Sequence, residues 1–332
     1  MNIIEKEAAL IRLGQYLAAK SPELEAVKER AFIANGWFTP AFIDNALDNI
    51  SRYFLSPEKL KDWLEGYPKV TDAHEPKTVG IVTAGNIPLV GFHDWLCGFV
   101  SGHQVKMKLS AKDEILLKHI LEKMGEWYPA LAHQTEIQEM LKGCDAYIAT
   151  GSNNSARYFH YYFAKYPHII RHNRTSAAIL TGHESAAELE ALADDIMLYF
   201  GLGCRNVTKI YVPTNYDFAP LLKALDKYSY LAEHHKYKNN YDYNLALLLL
   251  NSSPYITNGT ILLQENTALF SPLSVLHYSY YIDMAQLQQE LSGEEAIQCL
   301  VGQSFTPFGY AQQPNLIDYA DGVDTLKFLL EL

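Results

Sequence analysis

Over roughly the first seventy residues, acidic, basic and apolar positions alternate at helical spacing, and Ser56-Pro57-Glu58 reads as a helix start. These helices look like packaging for the rest of the chain. From Lys77 the pattern changes: TVGIV is an unbroken apolar strand, and it runs into the turn Gly85-Asn86-Ile87-Pro88. Next come a helical stretch LVGFHDWLCGFVSG, a strand HQVKMKLS, an amphipathic helix DEILLKHILEKMGEWY and a helix near Thr135 to Gly143. The alternation continues with strand AYIATGS, a helix from Asn154 to about Lys165, strands HIIRH and SAAILTG, helix AAELEALADDIMLYF, the segment GLGCRN and strand KIYVP. Repeated βα units with short connections predict an α/β fold with a parallel sheet covered on both faces, and sites at the carboxyl ends of its strands. After Pro213 the pattern loosens into a helix, a loop rich in Tyr, Asn and His around AEHHKYKNNYDY, a hairpin within Tyr243 to Gln264, and a mixed tail.

Composition narrows the function. The chain has 332 residues, 48% of them hydrophobic, enough for a two-lobed body with a cleft rather than one small module. Its net charge is −11 and no run of five Lys or Arg offsets it, which disfavours nucleic acid as a partner. The longest uncharged run is broken by Asn251, Ser252, Ser253, Pro254, Asn258 and Gly259, so no membrane span is expected. The N-terminus lacks the basic and apolar regions of a secretion signal. Cys97, Cys144, Cys204 and Cys299 form no C-x-x-C pair, so a reduced, cytoplasmic protein without a metal site is expected. His234-His235 has no carboxylate pair to complete a ligand set and reads as a solvated loop.

Four places carry candidate chemistry. Cys204 lies between a helix and a strand, and Gly201 and Gly203 keep bulk away from its thiol and let an amide turn toward an oxyanion; a buried, inert cysteine is the competing reading. Asn86 offers a carboxamide at a strand end, although Gly-Asn-x-Pro is also ordinary turn chemistry. Lys106, Lys108 and Ser110 close the next strand, where a lysine can hold a ribose hydroxyl or phosphate or simply be solvated. Thr150, Gly151 and Ser152 precede a helix, a place for a pyrophosphate or for a plain N-cap from Ser152, Asn153 or Asn154. Gly201-Leu202-Gly203 continues to Asn206 where a Rossmann fingerprint needs a third glycine, so a dinucleotide site here is not of that type.

In order and spacing these pieces resemble the aldehyde dehydrogenase superfamily, most closely its acyl-CoA reductase branch, the fatty-acid reductase type of bacterial luminescence. The likeness runs from about Thr78 to the C-terminus, where FTPFGYAQQPNLIDYADGVDTLKFL is its most branch-specific stretch. It implies an aldehyde dehydrogenase-like fold: a helical N-terminal region with a cofactor-binding domain over 1–180, a smaller catalytic domain over 181–304 and a tail over 305–332. It implies Cys204 as nucleophile, Asn86 in the oxyanion hole, Lys108 and Ser110 at the adenosine ribose, and Thr150, Gly151 and Ser152 at the cofactor phosphates. His172 is the candidate general base, with Arg205 or a helix N-terminus as alternative means of lowering the thiol pKa.

Three departures from the superfamily pattern matter. Leu109 replaces the usual proline after the lysine, Arg171 falls where hydrolytic relatives carry the water-activating Glu, and Ala268 replaces the Glu that holds the nicotinamide ribose, with Glu265 three residues upstream. The chain is also shorter than is usual for the superfamily. Losing the water-activating Glu suits reduction of an acyl-CoA, in which no water is deprotonated. The expected activity is therefore NADPH-dependent (or NADH-dependent) reduction of an acyl-CoA, fatty acyl by resemblance, to the aldehyde through an acyl-cysteine. Acyl-phosphate reduction, a non-catalytic scaffold and a thiol hydrolase are the competing readings. The implied partners are an acyl-CoA or acyl-carrier substrate, an acyl-activating partner enzyme and a second copy of the chain in a homodimer.

Overall fold

The computed structural model describes residues 2–72 and 75–332, with the side chain of Asn153 left out of the description. Helices α1 (Ile3–Ala18), α2 (Pro22–Ala34), α3 (Pro40–Asn49) and α4 (Pro57–Glu65) come first, with a π turn at Ile50–Phe54 continuing α3. Their starts follow local rules. Asn2 and Glu5 form a capping box, and Ser21 and Thr39 cap helices whose first residue is proline.

The βα alternation then begins with β1 (Thr78–Val82), α5 (Phe92–Ser101), β2 (Gln104–Lys108), α6 (Ile115–Trp127), β3 (Thr135–Ile137), β4 (Ala146–Thr150), α7 (Asn153–Phe163) and β5 (His168–Arg171). The five strands make a wholly parallel sheet in the order β3-β2-β1-β4-β5. The order reverses beside β1, and such a switch point leaves a crevice at the carboxyl ends of the strands. The segment expected as a helix near Thr135 to Gly143 instead opens with the edge strand β3. Its amides pair with β2 on one side only and its side chains stay largely exposed.

A second sheet is built from β6 (Thr175–Ile179), α8 (Ala186–Met197), β7 (Val207–Pro213), α9 (Ala219–Leu225), α10 (His235–Leu250), β8 (Ile256–Thr257), β9 (Leu262–Glu265), β10 (Val275–Tyr281), α11 (Met284–Leu291) and β11 (Ile297–Val301). Its order is β11-β6-β7-β10-β9-β8, parallel except for the β8–β9 hairpin. The expected hairpin is thus confined to residues after 255. The stretch from His235 to Leu250, read as a loop and a first strand, is the helix α10, with His234 as its N-cap.

The chain divides into two units: Met1–Asn173 with Pro314–Leu332, and Arg174–Gln313. The division differs from the expected boundaries at 180 and 304, because the C-terminal segment with α12 (Thr325–Leu330) returns to the first unit. There Leu316, Tyr319, Leu326 and Leu329 join Leu10 and Leu13 of α1, Val79 and Ile81 of β1, and Trp95 and Phe99 of α5 in one core. Polar contacts fix the return: Tyr319 Oη meets Trp63 Nε1 at 2.9 Å and Tyr67 Oη at 2.8 Å, and His103 Nε2 meets the Leu329 carbonyl at 2.8 Å. The helices at the start of the chain therefore cover a sheet, as their sequence suggested. Among the described residues no helix is long and apolar enough to cross a membrane, and no group of three His, Cys, Asp or Glu is placed to hold a metal.

Candidate functional site

In the first unit the candidates gather at the carboxyl edge of the sheet. Asn86 is exposed on the turn after β1, between two places where only glycine fits. A Cβ on Gly85 would fall 2.5 Å from Ser110 Oγ, and one on Gly91 would fall 2.3 Å from Thr83 Cγ2. This turn is knitted to the end of β2. Thr83 N donates to the Lys108 carbonyl (3.1 Å), Ser110 N to Thr83 Oγ1 (3.3 Å) and Lys112 N to Ser110 Oγ (3.3 Å). Lys108 is exposed at the strand end; Ser110 is half-buried against Gly85.

The sequence offered no sign of the group that holds the turn from below. Asp113, 6% exposed, accepts from the backbone amides of Leu89 and Val90, and Leu89 is left-handed at φ 57°. Burial pushes its carboxyl up to about 7, those two amides oppose the shift, and Oδ1 has no partner.

On the other side of the switch point β4 ends at Thr150, half-buried, followed by Gly151 and the exposed Ser152. Ser152 Oγ accepts from Ser155 N at 3.3 Å, so this side chain is the N-cap of α7. A Cβ on Gly151 would lie 2.9 Å from both Ser155 Cβ and Phe159 Cε2, so the helix start packs against bare backbone. Lys108 and Ser110 thus stand on one side of β1, and a glycine turn with the N-terminus of an eleven-residue helix stands on the other.

His172 follows β5, is exposed, and stacks on His160 with ring centroids 5.7 Å apart. Arg171 beside it is turned to a different use. It is buried, with Nη2 2.7 Å from Asp94 Oδ1 and 2.8 Å from Thr325 Oγ1. The position aligned with the water-activating Glu is thus spent on holding α5 and α12.

Cys204 belongs to the second unit and is partly exposed. The chain reaches it through three consecutive left-handed residues, Tyr199 (φ 54°), Phe200 (φ 59°) and Gly201 (φ 75°), the first two buried aromatics. Such conformations cost about 1 kcal/mol or more each in a non-glycine residue and persist only where packing over-determines them. Phe200 is held against His234 at a centroid distance of 4.6 Å.

Asn206, which in the sequence only marks a missing glycine, closes the Cys204 turn. It is fully buried, takes the Gly203 amide on Oδ1 (2.8 Å), and gives Nδ2 to the carbonyls of Asp195 (3.1 Å) and Leu198 (2.9 Å). Ser176 Oγ donates to the Cys204 carbonyl at 3.1 Å, and Arg205 Nε to the Ala311 carbonyl at 2.6 Å. Five residues on, Lys209 is buried with Nζ bonded to the Asn266 carbonyl and Ser279 Oγ, and burial lowers its pKa to about 8. Ala268 is exposed in an Asx turn from Asn266, and Glu265 is exposed at the end of β9.

Comparison with known proteins adds to this geometry. The profile of the family described as acyl-CoA reductase (LuxC) matches residues 34–228. No curated protein matches in sequence. Among solved structures, an aldehyde dehydrogenase from Bacillus cereus in its NAD+ complex is similar with TM-score 0.66 and 13% identity, over 89% of this chain and 70% of that one. Aldehyde dehydrogenase 21 from Physcomitrella patens, in complex with succinate as reaction product, gives TM-score 0.64 at 13% identity, over 91% and 74%. An aldehyde dehydrogenase from Mycobacterium tuberculosis complexed with NAD+ gives 0.62 at 15%, over 87% and 70%. The α/β fold with two largely parallel sheets is therefore of the aldehyde dehydrogenase type.

Proposed function

Because the chain belongs to the acyl-CoA reductase (LuxC) family, whose profile matches more than half of it, we propose that it reduces an acyl-CoA, with a fatty acyl group, to the aldehyde at the expense of NADPH. The observation that carries the reading is Cys204, a partly exposed thiol on a turn pinned by Asn206 and reached through a strained glycine-containing bend. The Cys204 thiolate adds to the thioester carbonyl, forming a carbon–sulfur bond. The bond from that carbon to the CoA sulfur then breaks, and CoA leaves as a thiolate that takes up the proton Cys204 lost. His172 is the base that carries this proton. The Asn86 carboxamide and the Cys204 backbone N–H stabilise the oxyanion of each tetrahedral stage.

A bound nicotinamide cofactor supplies the hydride that takes the acyl group to the aldehyde level. Lys108 and Ser110 hold the adenosine ribose, while Thr150, Gly151 and Ser152 with the start of α7 hold the phosphates. Collapse of the second tetrahedral stage breaks the carbon–sulfur bond, frees the aldehyde and returns Cys204. What supports hydride rather than water as the acceptor step is Arg171, whose guanidinium is committed to Asp94 where hydrolytic relatives place a carboxylate.

The test is an intact-mass spectrum of the protein mixed with long-chain acyl-CoA, beside Cys204→Ser, followed by addition of NADPH. The expected result is an acyl adduct on the wild type alone that NADPH discharges as aldehyde. Discharge by water alone would make the protein a hydrolase. Absence of any adduct with acyl-CoA of any chain length would move acyl-phosphate chemistry or a scaffold role to the front.

A further inference from the structure

The C-terminal stretch FGYAQQ has no part in the chemistry above, yet the structure fastens it to the turn that carries Cys204. Asp195, on α8 and fully buried, takes the Gly309 amide on Oδ2 at 2.7 Å and the Ala311 amide on Oδ1 at 2.9 Å. Arg205, the residue after Cys204, gives Nε to the carbonyl of the same Ala311 at 2.6 Å. Ala311 is thus gripped by its N–H from α8 and by its C=O from the nucleophile turn. The main-chain carbonyl of Asp195 receives Asn206 Nδ2 at 3.1 Å, so both ends of the linkage meet at one residue. Gly309 makes the approach possible: it is left-handed at φ 86°, and a Cβ there would sit 3.0 Å from Ala191 Cβ.

We propose that Asp195 is a positioning residue for the Cys204 nucleophile, acting by clamping the segment 308–313 so that Ala311 fixes Arg205 and, through it, the Cys204 turn. The inference rests on Cys204 being the nucleophile. The carboxylate has no other evident use. Burial pushes its pKa up to about 7 although two amides favour the ionised form, and the Asp194 charge beside it adds to the rise while Arg205 opposes it. A neutral side chain of the same shape would sit there with less strain on stability, so the two backbone contacts are what the charge provides.

The test uses full-length wild type, Cys204→Ser, Asp195→Asn and Arg205→Gln, with circular dichroism as a check of folding. Two rates are measured without cofactor: acylation of Cys204 by long-chain acyl-CoA, and its alkylation by iodoacetamide. An oriented attack on a bound thioester depends on placement of the thiol, whereas alkylation by a small free reagent, with both rates taken at the high-pH plateau where the thiol is fully ionised, depends on exposure. Asp195→Asn is expected to slow acylation roughly tenfold to a hundredfold while alkylation changes less than about twofold. Arg205→Gln, which cuts the same linkage from its other end, should do the same, and the double variant should be no slower than the slower single one.

Acylation at the wild-type rate in either single variant overturns the proposal, as does a parallel change in both rates, which reports general loosening of the fold. Should Asp195→Asn fail to fold, Arg205→Gln decides the matter alone. Absence of an adduct on the wild type overturns the nucleophile reading itself and is recognised before any variant is compared.

Discussion

Arg171 is the residue whose role the structure most sharply redefines, and Arg171→Met tests that role. The guanidinium is 5% exposed and lies 2.7 Å from the Asp94 carboxylate, itself 7% exposed. Removing it leaves a carboxylate whose pKa burial already raises and which the guanidinium alone was pulling back. Breaking one side of a buried pair costs about 3–5 kcal/mol, and losing the bond to Thr325 Oγ1 adds about 1 kcal/mol. That is a large part of the roughly 5–15 kcal/mol that holds a domain folded. Urea unfolding of wild type, Arg171→Met, Asp94→Asn and the double variant at pH 7.5 measures it. Each single variant should lose several kcal/mol, and the double variant should lose less than the sum by about 2 kcal/mol or more. The pH dependence has a fixed sign. In Arg171→Met the Asp94 pKa rises further above its unfolded value, so the penalty is present at high pH and shrinks as pH falls and the carboxyl is protonated. Additive losses, or an Arg171→Met protein within about 0.5 kcal/mol of wild type, would refute the structural assignment of the Arg171–Asp94 pair.

The same geometry fixes four further outcomes. Asn86→Ala should lose about 3 kcal/mol of transition-state stabilisation, close to a hundredfold in turnover, and an unchanged kcat sinks its oxyanion role. Gly151→Ala places a methyl group 2.9 Å from Ser155 Cβ and Phe159 Cε2, so the turn must shift and NADPH binding, followed by nicotinamide fluorescence, should weaken; equal affinity removes that turn from the cofactor site. Asp113 has its folded pKa at about 7, above the ordinary value of 3.8, so its cost is absent below pH 4, grows between pH 4 and 7 and is complete above. Asp113→Asn should therefore gain stability relative to wild type by up to about 4 kcal/mol between those limits, and a pH-independent difference in unfolding contradicts the burial argument. For His172, replacement by Gln should remove one limb of the pH–rate profile, and an unaltered profile excludes it as the base.

The parts of the fold that were legible are those whose side chains meet only one kind of surroundings. Strands β4 and β6 are buried over nearly their whole length, and the apolar stretches Ala146–Ala149 and Ala177–Leu180 that result let the βα order be followed through them. β3 fails this test: three residues at an edge, largely exposed, carry too little pattern to outweigh the helix-like residues after them. α10 fails in the opposite way. Tyr243, Leu247, Leu249 and Leu250 are exposed and Asn244 is buried, so its polarity does not follow a helical stripe. Cys204, Asn86 and Gly151 stand out as candidates in the sequence because glycine beside a reactive or polar residue is itself a signal.

Asp113 and Asp195 carry no such signal, because what they bind is main chain. Each is a buried carboxylate that accepts two backbone amides from a segment distant in sequence, Leu89 and Val90 in one case and Gly309 and Ala311 in the other. Any residue but proline presents the same N–H, so neither partner can be recognised from its side chain. The shared pKa near 7 says something about why such groups are there. Even with two amide bonds, the ionised form is less well solvated in place than in water, so at neutral pH each carboxylate subtracts from stability. A residue that costs stability where it stands is explained by what it holds. Asp113 holds the turn that displays Asn86, and Asp195 holds the segment that grips Arg205 next to Cys204. The two units thus use the same device at the two residues on which the proposed reaction most depends.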